Sequence, residues 1–195
     1  MKIDQINKNR GFTKRLLHDF TAALMELLQE KSLERITIAE LCAKTSYPRS
    51  TFYNYFEDIY SLMDYCWESI GARIKIDKFQ DIEHDKRTLA LFEATYDYMD
   101  ARRPVIDRLL RSNRVDGAML RSLDAYIKKA VFTMVSSCEF SAQYPIPNEI
   151  MAQHYSNTVQ MILSTCFLDK SITKQEALDD IEFLLGTLEK ASVHK

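Results

Sequence analysis

Two helix-start signals stand close together near the N-terminus, and they constrain the fold more than any other feature of the chain. The first lies in Ile36-Thr37-Ile38-Ala39-Glu40-Leu41. Thr37 and Glu40 have the T-x-x-E spacing of a capping box: the hydroxyl accepts from the third helical amide, and the carboxylate reaches back to the Thr amide. Ile36 and Leu41 occupy the two positions of a hydrophobic staple. Ile38, Leu41 and Cys42 then make an inward face, and the short helix is predicted to end near Lys44. Thr45-Ser46-Tyr47 breaks the pattern. The second start is Pro48, which has no amide to donate and a fixed φ, so it opens a helix rather than continuing one. That helix is predicted to run to Tyr55 or Phe56, with Phe52 and Phe56 facing inward one turn apart. Two short helices joined by about three residues, the first strongly capped, are the sequence form of a helix-turn-helix.

Helical periodicity continues on both sides of this unit. Leu16, Leu17, Phe20, Leu24, Leu27 and Leu28 form one apolar stripe and predict a first helix from about Thr13 to Glu30. Asp58 is a candidate N-cap for a helix from Ile59 to about Ile76. The charged stretch Lys75 to Lys86 reads as a linker. Further helices are predicted from about Thr88 to Ala101, from Pro104 through Leu110, from Gly117 to Cys138 and from Asn148 to Leu168. A last helix follows the T-x-x-E pair Thr173 and Glu176 and carries Leu178, Ile181, Leu184, Leu185 and Leu188. Only 4 Gly and 4 Pro occur in 195 residues, which disfavours turn-rich sandwiches and barrels. The expected class is all-α.

Composition excludes several functions. No apolar run approaches the roughly 20 residues of a membrane span, and the polar start MKIDQINKNRGFTKR lacks the apolar core of a secretory signal. Cys42, Cys66, Cys138 and Cys166 are far apart and form no CxxC pair, so buried reduced thiols in a cytoplasm are expected rather than disulfides or zinc. His18, His84, His154 and His194 share no metal-ligand spacing. No nucleophile elbow, P-loop or H-E-x-x-H occurs; no catalytic residue, cofactor or metal is expected, and the chain does not read as an enzyme. The net charge is -2. Residues 1–60 hold nine basic and eight acidic groups, and the remaining 17 basic and 20 acidic. Residues 1–15 alone carry Lys2, Lys8, Arg10, Lys14 and Arg15 against Asp4, a basic arm suited to phosphate.

Residues 36–62, ITIAELCAKTSYPRSTFYNYFEDIYSL, resemble the TetR family of transcriptional regulators. Thr37, Ile38, Leu41, Cys42, Ala43, Arg49, Ser50, Thr51, Phe52, Tyr53, Tyr55 and Phe56 fit the family pattern by type and spacing. Beyond about residue 65 the likeness is only that of a helical chain of suitable length. The resemblance implies an N-terminal three-helix DNA-binding domain, residues 1–57, and a helical bundle domain for dimerisation and ligand binding, residues 58–195. It places Arg49, Ser50, Thr51, Tyr53, Asn54 and Tyr55 on a recognition helix, with Arg49 and Ser50 near the end that meets base edges. Thr37, Lys14 and Arg15 are then candidate phosphate contacts, and Tyr53 and Tyr55 the pair whose hydroxyls meet the DNA backbone. Three positions depart from the pattern. The turn glycine is Ser46, which must accept a left-handed conformation; the N-cap Ser is Pro48; the Lys opening the fourth helix is Ile59, beside Glu57 and Asp58. Weaker or more salt-sensitive DNA binding is expected from the last of these.

The resemblance also implies an apolar effector pocket in the second domain, for which Trp67, Phe92, Tyr96, Met99, Tyr126, Met134 and Tyr155 are the candidate lining residues. Met161-Ile162-Leu163 and Cys166-Phe167-Leu168 leave the helix at about 148–168 apolar over most of its circumference, so it must be covered on most sides. A second copy is the expected cover, and the resemblance implies a homodimer through helices 148–168 and 174–190. The expected function is a cytoplasmic regulator, a repressor more than an activator, bound to a pseudo-palindromic double-stranded operator and released by a small apolar effector. The rival expectation is a helix-turn-helix protein that regulates by binding a protein partner, favoured by Glu57, Asp58 and the missing basic residue at Ile59.

Overall fold

The computed structural model describes residues 11–75, 78, 81–137 and 146–193, with backbone alone for 84, 85 and 187–193. The basic residues Lys2, Lys8 and Arg10, and also Cys138, Pro145 and His194, lie outside the described residues. Nine α-helices and no strand occur among those described: α1 (Gly11–Leu28), α2 (Ile38–Thr45), α3 (Arg49–Tyr55), α4 (Ile59–Ile74), α5 (His84–Asp100), α6 (Arg103–Ser112), α7 (Ala118–Ser136), α8 (Asn148–Ser164) and α9 (Lys174–Val193). The all-α expectation holds. No helix among the described residues is long and apolar enough to cross a membrane.

The apolar stripe of α1 is buried as its spacing demands: Leu16, Leu17, Phe20, Leu24, Leu27 and Leu28 are all inside. The helix is already formed at Gly11, the first described residue, and ends at Leu28, after which Gln29, Glu30 and Lys31 donate to the carbonyls of Glu26 and Leu27 in a tighter turn. A 3₁₀ turn, Leu33–Arg35, leads to α2. Both halves of the capping box form: the Glu40 amide donates to Thr37 Oγ1 at 3.3 Å and the Thr37 amide to Glu40 Oε2 at 2.9 Å. The staple residues Ile36 and Leu41 are buried beneath it.

Ser46 ends α2 at φ 59°, ψ 20°. This is the left-handed conformation expected where the family pattern has glycine, taken here by a residue with a Cβ at some cost. Pro48 sits one residue before α3, as its N-cap, and its carbonyl accepts from the amides of Thr51 and Phe52. Phe52 and Phe56 are fully buried and meet Phe20 of α1 edge-on, with ring centroids 5.4 and 6.4 Å away. Asp58 caps α4 by accepting from the Ser61 amide at 2.7 Å, while Ser61 Oγ accepts from the amides of Glu57 and Asp58. The serine completes a reciprocal cap that the aspartate alone had signalled. Lys75, at φ 62°, follows α4.

Two compact units result: residues 1–70 with 107–123, and residues 71–106 with 124–195. This division by packing differs from a boundary at 57/58. Most of α4 and the corner between α6 and α7 belong with the helix-turn-helix. Asn113, buried in that corner, explains why: its Oδ1 accepts from the Leu33 amide at 3.1 Å, and its Nδ2 donates to the carbonyls of Leu28 and Leu109, both at 2.9 Å. Ser112 Oγ donates to the Gln29 carbonyl and the Ala118 amide to Glu34 Oε1, at 2.8 and 2.6 Å. The last bond is the main reason the Glu34 carboxyl titrates below its usual range.

In the second unit, α5 and α8 each pack on α9. Phe92, Tyr96, Tyr155, Ile162, Cys166, Phe167, Ala177, Ile181 and Leu185 are buried there. The helix α5 begins at His84 rather than Thr88, so the charged stretch is a shorter connection than its composition suggested. The expected helix from Asn148 to Leu168 is α-helical to Ser164 and then continues as a π-helical turn, Thr165–Asp169. Thr165 Oγ1 donates back to the Met161 carbonyl at 3.0 Å, a competition with the helical ladder that bends helices. Thr173 and Glu176 form the second capping box at the head of α9. Lys174 Nζ ties that head to α5 through Glu93 at 2.9 Å and Asp97 at 2.7 Å. Cys42, Cys66 and Cys166 are buried thiols that form no disulfide among the described residues.

Candidate nucleic-acid interface

Helix α3 is held by what it buries. Phe52 and Phe56 fix its inward side, and the remaining positions follow from 100° per residue. Arg49, Ser50, Tyr53 and Asn54 are exposed, whereas Thr51 and Tyr55 are half-buried. Tyr53 leans its ring edge-on against Phe52, with centroids 5.6 Å apart, and stays 45% exposed. Lys14 and Arg15 are exposed in the first turns of α1, and Arg15 reaches Asp19 only at 4.0 Å.

Thr37 is exposed but already engaged. Its hydroxyl accepts from the Glu40 amide and donates to Glu40 Oε2 at 2.8 Å, so a phosphate would compete with the cap for that proton. Glu40 is pushed down from 4.5 to about 2, first by the hydrogen bond from Lys31 and then by the hydroxyl and amide of Thr37. Lys31 is therefore bound to Glu40, and Lys44 to Glu26 at 2.9 Å, which raises the Lys44 ammonium above its usual range. Two of the basic groups of α2 and its approach are thus spent within the fold. Burial raises the Cys42 thiol, and the nearby charge of Arg49 opposes the rise. Glu57, Asp58 and Tyr60 are exposed and Ile59 half-buried at the start of α4.

Tyr47, read from sequence only as part of a turn, is the positioning residue that reasoning missed. Its ring packs on Phe20 at 5.5 Å and edge-on to Phe12 at 6.3 Å, and its hydroxyl donates to Asp19 Oδ2 at 3.1 Å. Burial, then the bond to Asp19, raises the phenol above its ordinary range. This fastens the turn between α2 and α3 to α1. An aromatic flanked by Ser46 and Pro48 was the available signal.

The candidate effector residues do not form one group. Trp67 lies in the first unit, where its indole Nε1 donates to Ser122 Oγ at 3.1 Å and that hydroxyl donates to Asp64 Oδ1 at 2.9 Å. Phe92, Tyr96, Met99, Tyr126, Met134 and Tyr155 lie in the second. Of these, Phe92 and Tyr96 meet at 6.3 Å, and Tyr96 meets Phe167 of the π-turn at 5.2 Å. Arg103 lies over the other partner of that pair, 4.5 Å from the Phe167 ring. Met99, Tyr126 and Met134 are half-buried, and Tyr155 is buried, edge-on to His154 with ring centroids 6.1 Å apart. No cluster of three or more His, Cys, Asp or Glu able to hold a metal occurs among the described residues.

The faces expected to be covered carry bare apolar groups. On α8 and the turn after it, Ile150, Met161 and Leu168 are exposed, Met161 at 56%; on α9, Phe183 is 76% exposed and Leu184 lies beside it.

No family model and no curated protein matches the sequence. Solved structures do match the fold. A protein from Syntrophomonas wolfei assigned as a TetR-family transcriptional regulator superposes with a TM-score of 0.65 over 92% of this chain and 96% of its own, at 18% identity. A TetR-family transcriptional regulator from Streptomyces coelicolor gives 0.54 over 93% and 84%, at 15% identity. A Clostridium perfringens protein assigned as a fatty acid metabolism regulator gives 0.53 over 86% and 97%, at 13% identity. The chain has the fold of the TetR-family transcriptional regulators.

Proposed function

We propose that this protein is a DNA-binding transcriptional regulator of the TetR type. The observation that carries the reading is the outward face of α3. It is a short helix anchored by two buried phenylalanines, braced through Tyr47 and Asp19, and presenting only small or hydrogen-bonding side chains. That is the form of element that enters a major groove. Lys14, Arg15 and Arg49 supply phosphate attraction around it. The exposed apolar groups of α8 and α9 support a homodimer, which would present two such helices to a pseudo-palindromic site, with half-sites one helical turn or a multiple apart. The aromatic interior of the second unit supports a small apolar effector that shifts the dimer between DNA-competent and incompetent arrangements, and repression in the cytoplasm is the regulation this favours. An effector acts only by binding one arrangement better than the other.

The test is selection from random duplexes with the purified protein, repeated with Tyr53→Ala. Enrichment of a palindrome by the native chain and its loss in the variant is the expected result. No enrichment refutes the reading.

One observation favours a second reading, regulation through a protein partner. Lys31 and Lys44 are held in ion pairs while Glu57 and Asp58 are exposed beside α3, so the surface is poorer in available positive charge than a duplex requires. Affinity for that partner would respond little to salt, whereas DNA affinity falls steeply with it.

A further inference from the structure

The placement of side chains around α3 separates the residues that can reach base edges from those that cannot. Stepping 100° per residue, Phe52 and Phe56 bracket the buried side, and the direction opposite their midpoint falls on Asn54. Ser50 lies about 40° from that direction and Thr51 about 60°, whereas Tyr53 and Tyr55 lie about 100° to either side and Arg49 about 140° away. Ser50 and Asn54 are exposed, as are Arg49 and Tyr53, while Thr51 and Tyr55 are half-buried, so it is the angular position on the helix, not exposure, that singles out Asn54. Among the described residues, no hydrogen bond engages the Asn54 amide. The centre of the outward face is therefore built from short side chains, which lets the helix backbone approach the groove floor. The two tyrosines stand where the groove walls would be.

Resting on the DNA-binding reading above, we infer that Asn54 is the base-reading residue of this protein and that it reads an adenine in each half-site. A carboxamide carries one donor and one acceptor on a rigid plane. Adenine presents the complementary pair, an N7 acceptor and an N6 donor, on its major-groove edge. Guanine offers two acceptors there, so the amide could meet them only through its NH2, leaving its carbonyl without a partner. Ser50, a single rotatable hydroxyl, pairs with any base and adds little discrimination. Arg49, turned toward the phenylalanine side, serves phosphate rather than base choice. This departs from the expectation that the N-terminal arginine of α3 meets base edges.

The experiment uses the full-length protein and the duplex it selects. Every base pair of the selected half-site is substituted in turn, and affinity is measured by fluorescence anisotropy for the native chain, Asn54→Ala and Arg49→Ala. The native chain is expected to show one A·T pair per half-site whose replacement weakens binding about 10- to 100-fold. In Asn54→Ala that penalty falls to less than about threefold, and a helical circular-dichroism signal and thermal melt matching those of the native chain show that the variant is folded. Arg49→Ala keeps the A·T penalty, loses affinity for every duplex alike, and has a shallower salt dependence. An A·T penalty that survives Asn54→Ala, or a base preference that disappears in Arg49→Ala, overturns the inference while the DNA-binding reading stands. Failure of the native chain to select any duplex refutes both.

Discussion

Replacing Asn113 with alanine should loosen the helix-turn-helix although the residue lies far from it in sequence. The side chain is 3% exposed and makes three hydrogen bonds. Removing it leaves the Leu33 amide without its acceptor and the Leu28 carbonyl without its donor, next to side chains that are themselves buried. The Leu109 carbonyl keeps its helical partner, the Asn113 amide at 3.0 Å, so it does not count. Each orphaned buried group costs about 1–3 kcal/mol. Two of them, with partial relief from water entering the vacated space, sum to about 2–4 kcal/mol. At about 2–4 °C per kcal/mol for a chain of this size, the first unfolding transition should fall by on the order of 5–15 °C. The single tryptophan makes the assay local: Trp67 belongs to the same unit and hydrogen-bonds to Ser122 there, so its fluorescence follows that unit's unfolding. Urea titrations of the native chain, Asn113→Ala and Ser112→Ala, read by Trp67 emission, give the comparison. Ser112 donates one bond, to the Gln29 carbonyl from a part-buried position, and its loss should cost about 0.5–1.5 kcal/mol. An Asn113→Ala cost below about 1 kcal/mol, or one no larger than that of Ser112→Ala, refutes the claim that this corner is fastened through Asn113.

Tyr47→Phe removes only the hydroxyl that donates to Asp19; it should destabilise the first unit by about 0.5–1.5 kcal/mol and weaken operator binding while leaving α8–α9 association intact, measured by urea titration and anisotropy. Glu40 has a folded pKa near 2 against 4.5 ordinarily, so the stability it confers is complete above about pH 4.5 and is lost as pH falls toward 2. Glu40→Ala should therefore be less stable than the native chain at neutral pH, with the gap closing across that window in thermal melts; a gap independent of pH contradicts the ion-pair role. If Lys14, Arg15 and Arg49 each meet one phosphate in both protomers, six contacts should give a slope of log affinity against log salt of about −5, and Glu57→Lys should raise the affinity. If the chain dimerises through the exposed apolar face of α8, as proposed, Met161→Glu places a charge there and should give a monomer in sedimentation; an unchanged sedimentation coefficient removes that face from the interface.

Local signals were legible wherever cause and effect lie within a few residues. The T-x-x-E pairs at Thr37 and Thr173 both close as capping boxes, Asp58 caps α4, and Ser46 takes the left-handed conformation that its place in the turn requires. Each is a matter of one side chain and the backbone three residues away, so spacing alone carries it. The limits of helices were less legible, because propensity changes gradually: α5 starts at His84, where no cap residue marked the boundary. The π-turn at Thr165–Asp169 was hidden because its apolar pattern is that of the helix it extends. What could not be read at all is the membership of residues 107–123 in the unit that holds the helix-turn-helix. Asn113 is separated from Leu33 by 80 positions, and an asparagine after a helical segment has the local look of a terminator. Its two faces, one accepting and one donating, match a free amide and a free carbonyl only once the first turn after α1 is built. Trp67 shows the same limit from the other side. By type and setting it belonged with the effector-lining aromatics, yet its indole proton goes to Ser122, and Ser122 is placed by the very corner that Asn113 fastens. The aromatic most suggestive of a ligand is thus part of the frame that carries α3, and the proposed effector reading rests on Phe92, Tyr96 and Phe167, whose rings the second unit brings together.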